Sequence, residues 1–68
     1  MENVVNNVQK LRKARGITQE AFADGVGVTR QTVIAIEKGN YTPSVLLAIK
    51  IAKYFNASVE EIFSISKK

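Results

Sequence analysis

The chain has 68 residues, the size of one small domain. It contains no cysteine, which excludes disulfides and thiolate metal sites, and no histidine, which disfavours a zinc site or a histidine-based catalytic site. Its net charge is +4, and residues 1–53 carry all of this excess. A basic body with a neutral C-terminal segment suits a polyanion on one side and a protein partner on the other. A solvated, lysine-rich surface is the simpler alternative.

The first fifteen residues predict a short strand and then a helix. Val4-Val5 could form the strand, and Asn6 or Asn7 can cap a helix that continues to about Arg15. The helical spacing of apolar residues predicts a buried face made of Val8, Leu11 and either Ala14 or Arg15.

The segment 18–39 contains two short helical patterns that are joined by a glycine-containing turn. Thr18 and Thr29 are suitable N-cap residues and predict helices over residues 19–25 and 30–38. The GVGV stretch between them interrupts the first helix and allows a sharp turn. Two helices joined in this way form the DNA-binding helix-turn-helix arrangement.

The remaining chain predicts two further helices and a terminal strand. A fourth helix begins near residues 43–44 and ends at Phe55, and its apolar residues are too numerous for one narrow stripe. We therefore expect it to be the central, most buried helix. Residues 58–61 form a capping box that starts a one-turn fifth helix. Residues 63–66 alternate as a strand does and could pair with residues 2–5.

The stretch TQEAFADGVGVTRQTVIAIEKG resembles the helix-turn-helix of Cro- and lambda-repressor-like regulators, the Xre family. The similarity continues through YTPSVLLAIKIAKYFNASVEEIF and covers nearly the whole chain. It implies an all-α, five-helix lambda-repressor-like DNA-binding domain over residues 1–68, to which the terminal patterns add a possible small two-stranded antiparallel sheet. Phe22 stands where the family usually has Leu. Gly25 stands where a better helix former is usual, at a cost of roughly 1 kcal/mol relative to Ala.

The second helix of the motif, 29–38, is expected to lie in the major groove with its first residues at the base edges. Arg30 can make a bidentate contact to guanine, and Gln31 can do the same to adenine. Ile34 and Ala35 can contact thymine methyl groups. The alternative is that all four are ordinary exposed helix residues, but it leaves the apolar Ile34 facing water.

Several polar residues are candidates for contact with the DNA backbone. The resemblance implies a phosphate clamp by Gln19 and the N-terminus of its helix. The other backbone candidates, two short hydroxyls and three residues at the end of the motif, are Thr29, Thr32, Lys38, Asn40 and Tyr41. Core packing is an equal alternative for Tyr41.

Glu37 does not suit a surface that faces phosphates, because its carboxylate would be repelled. Arg12 on the first helix is its expected partner, as in repressors that the chain resembles. This ion pair would hold the first helix against the third.

The C-terminal segment 59–66 is a possible dimerisation segment, with Ile62, Phe63 and Ile65 at the interface. A small domain without disulfide or metal gains from the extra burial that a homodimer provides. The alternative is that Phe63 and Ile65 fold back within one monomer.

These observations predict a cytoplasmic transcriptional regulator, a repressor, that binds a palindromic double-stranded DNA operator as a homodimer. An antitoxin or other protein-interaction module that binds DNA secondarily is the alternative. The chain offers no catalytic constellation, so we do not expect an enzyme. We also expect no metal, cofactor, membrane or small-molecule ligand.

Overall fold

The computed structural model describes residues 2–67, with side chains for residues 2–66. The first and last residues of the predicted domain, 1–68, lie outside the described residues. The elements in chain order are β1 (Glu2–Asn6), α1 (Val8–Ala14), α2 (Gln19–Val26), α3 (Arg30–Glu37), α4 (Val45–Phe55), α5 (Val59–Ile62) and β2 (Phe63–Lys67). The predicted five-helix fold with a small antiparallel sheet is confirmed.

Short hydroxyl side chains start four of the five helices. The side-chain oxygens of Thr18, Thr29, Ser44 and Ser58 each accept a hydrogen bond from the backbone N–H three residues later. This contact satisfies one of the backbone donors that a helix start leaves without a partner. Between α2 and α3 the chain reverses at Gly27, whose φ of 77° lies in the left-handed region that glycine adopts freely.

The core lies where α2, α3 and α4 meet, and α1 and α5 close it at the sides. The Phe22 ring stacks on the Phe55 ring with centroids 5.1 Å apart, and Tyr54 meets both rings edge-on. The buried apolar side chains are Val8, Phe22, Ala23, Val26, Val33, Ile36, Leu47, Ile51, Ala52, Phe55 and Ile62.

Helix α4 contributes four buried residues, more than any other described helix, which agrees with its prediction as the most buried helix. It is, however, buried on one face only. Leu47, Ile51, Ala52 and Phe55 face the core. On the other side Val45, Leu46 and Ile49 are 76%, 64% and 42% exposed. The apolar residues thus form two separate faces, and nothing else in the described part of the chain covers the second.

Helix α1 also differs from its predicted pattern, because it buries Val8 and Arg12 and leaves Ala14 and Arg15 exposed. The Arg15 guanidinium lies 5.2 Å from the centroid of the Phe55 ring and donates a 2.7 Å hydrogen bond to the Phe55 carbonyl oxygen. Arg15 therefore caps the C-terminus of α4, where a positive charge is favourable.

Strands β1 and β2 pair so that Val4 lies opposite Ile65 and Asn6 lies opposite Phe63. The predicted place of Ile62 in a dimer interface is wrong: Ile62 is 1% exposed and belongs to the core of its own chain. Phe63 is half-buried and packs against that core, whereas Ile65 remains 66% exposed. The single turn of α5 directs the Ile62 side chain into the core, and β2 begins at the next residue.

Candidate nucleic-acid interface

Helix α3 presents an exposed stripe opposite its buried side. Val33 and Ile36 are buried in the core. At 100° per residue the opposite side of the helix carries Gln31, Ile34, Ala35 and Lys38. Gln31 and Lys38 are exposed, and Ile34 and Ala35 are partly exposed. Arg30 is exposed at the start of the same helix. The stripe thus combines hydrogen-bonding side chains in the first turn of α3 with the apolar side chains of Ile34 and Ala35 in the next turn.

Thr29 and Thr32 contact each other at the start of α3. The Thr29 hydroxyl oxygen accepts the Thr32 backbone N–H at 3.2 Å, and the two hydroxyl oxygens lie 3.1 Å apart in a hydrogen bond. That bond uses one of the two hydroxyl protons. The other proton can still be donated to an acceptor outside the helix.

A shallow polar groove separates α1 from the starts of α2 and α3. Its lining residues are Gln9, Arg12, Lys13, Thr18, Gln19, Glu20 and Arg30. Gln19 and Glu20, at the N-terminus of α2, line this groove. The exposed carboxylate of Glu20 repels an anion, but a helix N-terminus favours one. The exposed cations Lys13 and Arg30 add to that preference. This groove brings together Gln19 and Arg30, two of the predicted contact residues.

Arg12, Gln19 and Glu37 form one hydrogen-bonded cluster at the inner wall of the groove. Arg12 donates from Nε to Glu37 Oε2 at 2.6 Å and from Nη2 to Glu37 Oε1 at 3.1 Å. Gln19 Nε2 donates to the same Oε1 at 3.1 Å. The Arg12 and Glu37 side chains are only 9% and 2% exposed. The two-point contact is the strong geometry for an arginine–carboxylate pair.

The cluster ties the first three helices together. Arg12 also donates from Nη1 to the Ile17 carbonyl oxygen at 2.9 Å, so its guanidinium is satisfied on three sides. The hydrogen bond to Glu37 raises the pKa of Arg12 above its usual value, against the lowering effect of burial, and the charge of Glu37 raises it further. With one amide proton held by Glu37, Gln19 keeps a second N–H that can donate into the groove.

The other end of α3 carries a second group of polar residues. Lys38 and Asn40 are exposed, and the Asn40 backbone N–H is bound to the Ala35 carbonyl oxygen at 2.9 Å. Tyr41 is 45% exposed and shares a groove with Val28 and Leu46. Tyr41 therefore lies on the side of α4, away from the groove that holds Gln19.

Sequence reasoning gave too little weight to Gln9 and Lys13. Both line the polar groove beside Arg12, although neither is among the contact residues that the sequence predicts. Their spacing of four residues on α1 places them on one helix face. That spacing is the signal that could have identified them. Among residues 2–67, no helix has both the length and the apolar character required to cross a membrane.

Comparisons with known proteins agree with this geometry. The HTH_3 helix-turn-helix family model matches residues 8–62. The HTH-type transcriptional regulator YgzD of Bacillus subtilis is 55% identical over 58 residues, which are 85% of this chain and 88% of the relative. The cryptic phage CTXphi transcriptional repressor RstR of Vibrio cholerae is 34% identical over 62 residues, 91% of this chain and 56% of that protein.

The restriction-modification controller protein C.AhdI of Aeromonas hydrophila has a similar solved structure. It superposes with a TM-score of 0.75 at 29% identity, over 81% of this chain and 83% of that one.

Proposed function

The chain belongs to the Xre/Cro-like HTH_3 helix-turn-helix family of transcriptional regulators, and we propose that it is a cytoplasmic repressor that binds a palindromic operator as a homodimer. In this proposal α3 lies in the major groove and reads the bases. The family is one of DNA-binding proteins rather than enzymes.

The observation that carries the proposal is the exposed stripe of α3. Arg30 and Gln31 stand at the first turn of the helix, where a recognition helix meets the base edges. Their side chains have the paired hydrogen-bonding groups that guanine and adenine present in the major groove. Ile34 and Ala35 follow as partly exposed apolar groups suited to thymine methyls. The buried Val33 and Ile36 hold this stripe outward.

Candidates for phosphate contact flank the stripe at both ends. Gln19 and Lys13 lie beside the start of α3, and Lys38 and Asn40 lie at its end. These polar groups border the stripe, so they can contact backbone phosphates when α3 lies in the groove.

Two lines of reasoning support a dimer on a palindromic site. A single recognition helix reads only a few base pairs, whereas a dimer reads half-sites about 34 Å apart. The described residues measure 33 × 23 × 23 Å, so copies on neighbouring half-sites would lie close enough to touch. Repression is supported by the similarity to the repressor RstR. A bound dimer would block the DNA to other proteins.

Selection of bound duplexes from a random library tests the proposal. We expect enrichment of an inverted repeat whose half-sites are separated by about one helical turn. A library that shows no enrichment would contradict sequence-specific binding. Enrichment of a single half-site, with one copy bound per duplex, would contradict the dimer.

A further inference from the structure

Asn6 is the residue at which the terminal sheet reaches α3. It is the last residue of β1 and is half-buried, whereas the four residues before it are exposed. Its side chain donates a hydrogen bond from Nδ2 to the Ile36 carbonyl oxygen, which lies 3.0 Å away and 30 positions further along the chain. Ile36 is buried and lies in the last turn of α3. The inner end of β1 is therefore bonded to the end of α3.

Both ends of the Asn6 amide are in use. Its Oδ1 accepts the backbone N–H of Val8 at 3.0 Å, at the start of α1. A reversed amide would place its NH2 group against that N–H and its oxygen against the Ile36 carbonyl oxygen, so the orientation of the amide is fixed. Asparagine carries a donor and an acceptor on one short side chain, and here it joins the start of α1 to the end of α3.

The contacts around Asn6 keep it in place. Asn6 lies opposite Phe63 in β2, and the Phe63 side chain packs against the core. The backbone N–H of Asn7 donates to the Ile62 carbonyl oxygen at 2.9 Å, directly before β2 begins. Asn6 therefore contacts α3 from a position that is tied to the core. Asn6 and both strands lie outside residues 8–62, the part of the chain that matches the family model.

The last turn of α3 is held from two sides. Arg12 of α1 binds the Glu37 carboxylate, and Asn6 of β1 binds the carbonyl oxygen of the residue before it. The same carbonyl oxygen also accepts the Gly39 backbone N–H at 3.0 Å, where α3 ends. Lys38, a candidate for phosphate contact, lies between these anchored residues. The contacts therefore fix both the direction of α3 and the place of Lys38 beside it.

We propose that Asn6 is a positioning residue for DNA recognition, which fixes the angle at which α3 enters the major groove; this inference rests on the proposed function. In a specific complex the base contacts at the first turn of α3 and the phosphate contacts at its last turn must form together, because phosphate contacts set the orientation of the protein on the duplex. A nonspecific complex depends on charge and tolerates a less exact orientation. Loss of the Asn6 contact therefore weakens specific binding more than nonspecific binding.

A purely structural role for Asn6 makes a different prediction. If the hydrogen bond only stabilised the fold, its loss would reduce the folded fraction and would weaken binding to all duplexes by the same factor. The ratio of the affinity for the operator to the affinity for an unrelated duplex would then stay constant. A fall in this affinity ratio is the measure of lost specificity, and it distinguishes positioning from stabilisation.

Asn7 provides a matched control. Its Nδ2 donates to the Glu61 carbonyl oxygen at 3.1 Å, so this asparagine reaches α5 rather than α3. Asn6→Asp keeps an acceptor for the Val8 backbone N–H but replaces the donor to α3 with an oxygen. Asn7→Asp removes the corresponding donor to α5. The two substitutions make the same chemical change, with the same added charge, at adjacent residues.

Fluorescence anisotropy of both variants on the selected operator and on an unrelated duplex of equal length tests the proposal, with circular dichroism to measure the folded fraction. Asn6→Asp is expected to lower the affinity ratio about three- to tenfold, the effect of losing one hydrogen bond. Asn7→Asp should leave the ratio unchanged. An unchanged ratio for Asn6→Asp, or an equal fall for Asn7→Asp, would overturn the positioning role.

Hydrogen exchange without DNA gives a second readout that does not depend on binding. The backbone N–H groups of Lys38, Gly39 and Asn40 donate to carbonyl oxygens of α3 and close its last turn. They should exchange faster in Asn6→Asp than in Asn7→Asp, because the side chain of residue 6 no longer holds this turn. Equal exchange in the two variants would contradict the claim that Asn6 fixes the end of α3.

The outcomes also separate this inference from the proposed function. If the wild-type protein selects an operator but Asn6→Asp leaves the affinity ratio unchanged, the positioning role is wrong and the proposed function stands. If the wild-type protein shows no sequence preference, the proposed function fails and the role of Asn6 in DNA recognition fails with it.

Discussion

The Tyr54 ring lies directly over the backbone of Gly25, so that a Cβ atom on Gly25 would stand 2.3 Å from Tyr54 Cε1. Edge-on contacts with Phe22 and Phe55 hold the ring in this place. Gly25→Ala is therefore expected to lower the free energy of unfolding. Overpacking costs about 1–3 kcal/mol, which equals or exceeds the gain of roughly 1 kcal/mol in helix propensity. Urea unfolding of the two proteins measures the difference.

The Tyr54→Ala background provides the control for this prediction. Without the ring, the same Gly25→Ala change should stabilise the protein by up to about 1 kcal/mol, because only the helix propensity remains. Stabilisation of the otherwise native chain by Gly25→Ala would contradict the steric explanation.

Gly25 illustrates why helix propensity alone misjudged this position. The sequence correctly identified glycine as a poor helix former, but the ring that requires it comes from a residue 29 positions later. Sequence features that act within a few residues predicted the structure more accurately. The starts of α2 and α3 follow from the hydroxyl caps at Thr18 and Thr29, whose hydrogen bonds span only three residues.

The apolar pattern of α4 was ambiguous for a different reason. The number of apolar residues indicates how much apolar surface a helix has, but not which part of the protein packs against that surface. Part of that surface, including Leu46 and Ile49, remains exposed in the monomer. In α5, by contrast, the single turn brings Ile62 into the core, which its position near the end of the sequence did not suggest.

Arg12 and Glu37 are expected to behave as a buried ion pair. Glu37→Ala should lower the free energy of unfolding by about 3–5 kcal/mol, because it leaves the Arg12 charge buried without its partner. Arg12→Ala should have an effect of similar size for the complementary reason. The free energy of unfolding of the double variant should fall by much less than the sum of the two single losses, because neither charge remains buried. A double-mutant cycle with no coupling would show that the pair does not stabilise the fold.

Lys13 and Arg15 are both exposed cations near the end of α1, but we expect different roles for them. Lys13→Ala should lower the salt dependence of DNA binding by about one phosphate contact, because Lys13 lines the polar groove. Arg15→Ala should instead destabilise the fold by about 0.5–2 kcal/mol, since it removes the cap from α4. Unfolding and salt titrations of both variants separate the roles. The assignment is wrong if Lys13→Ala and Arg15→Ala change both the free energy of unfolding and the salt dependence of DNA binding to the same extent.

The division of labour along α3 is most directly tested by measuring the binding of Arg30→Ala and Lys38→Ala to a complete library of single-base variants of the selected operator. Arg30→Ala is predicted to lose about 1–3 kcal/mol on the preferred site and to relax the preference at one or two base positions. Lys38→Ala is predicted to weaken all sequences alike and to reduce the salt slope. The same uniform loss in both variants would contradict base reading by the first turn of α3.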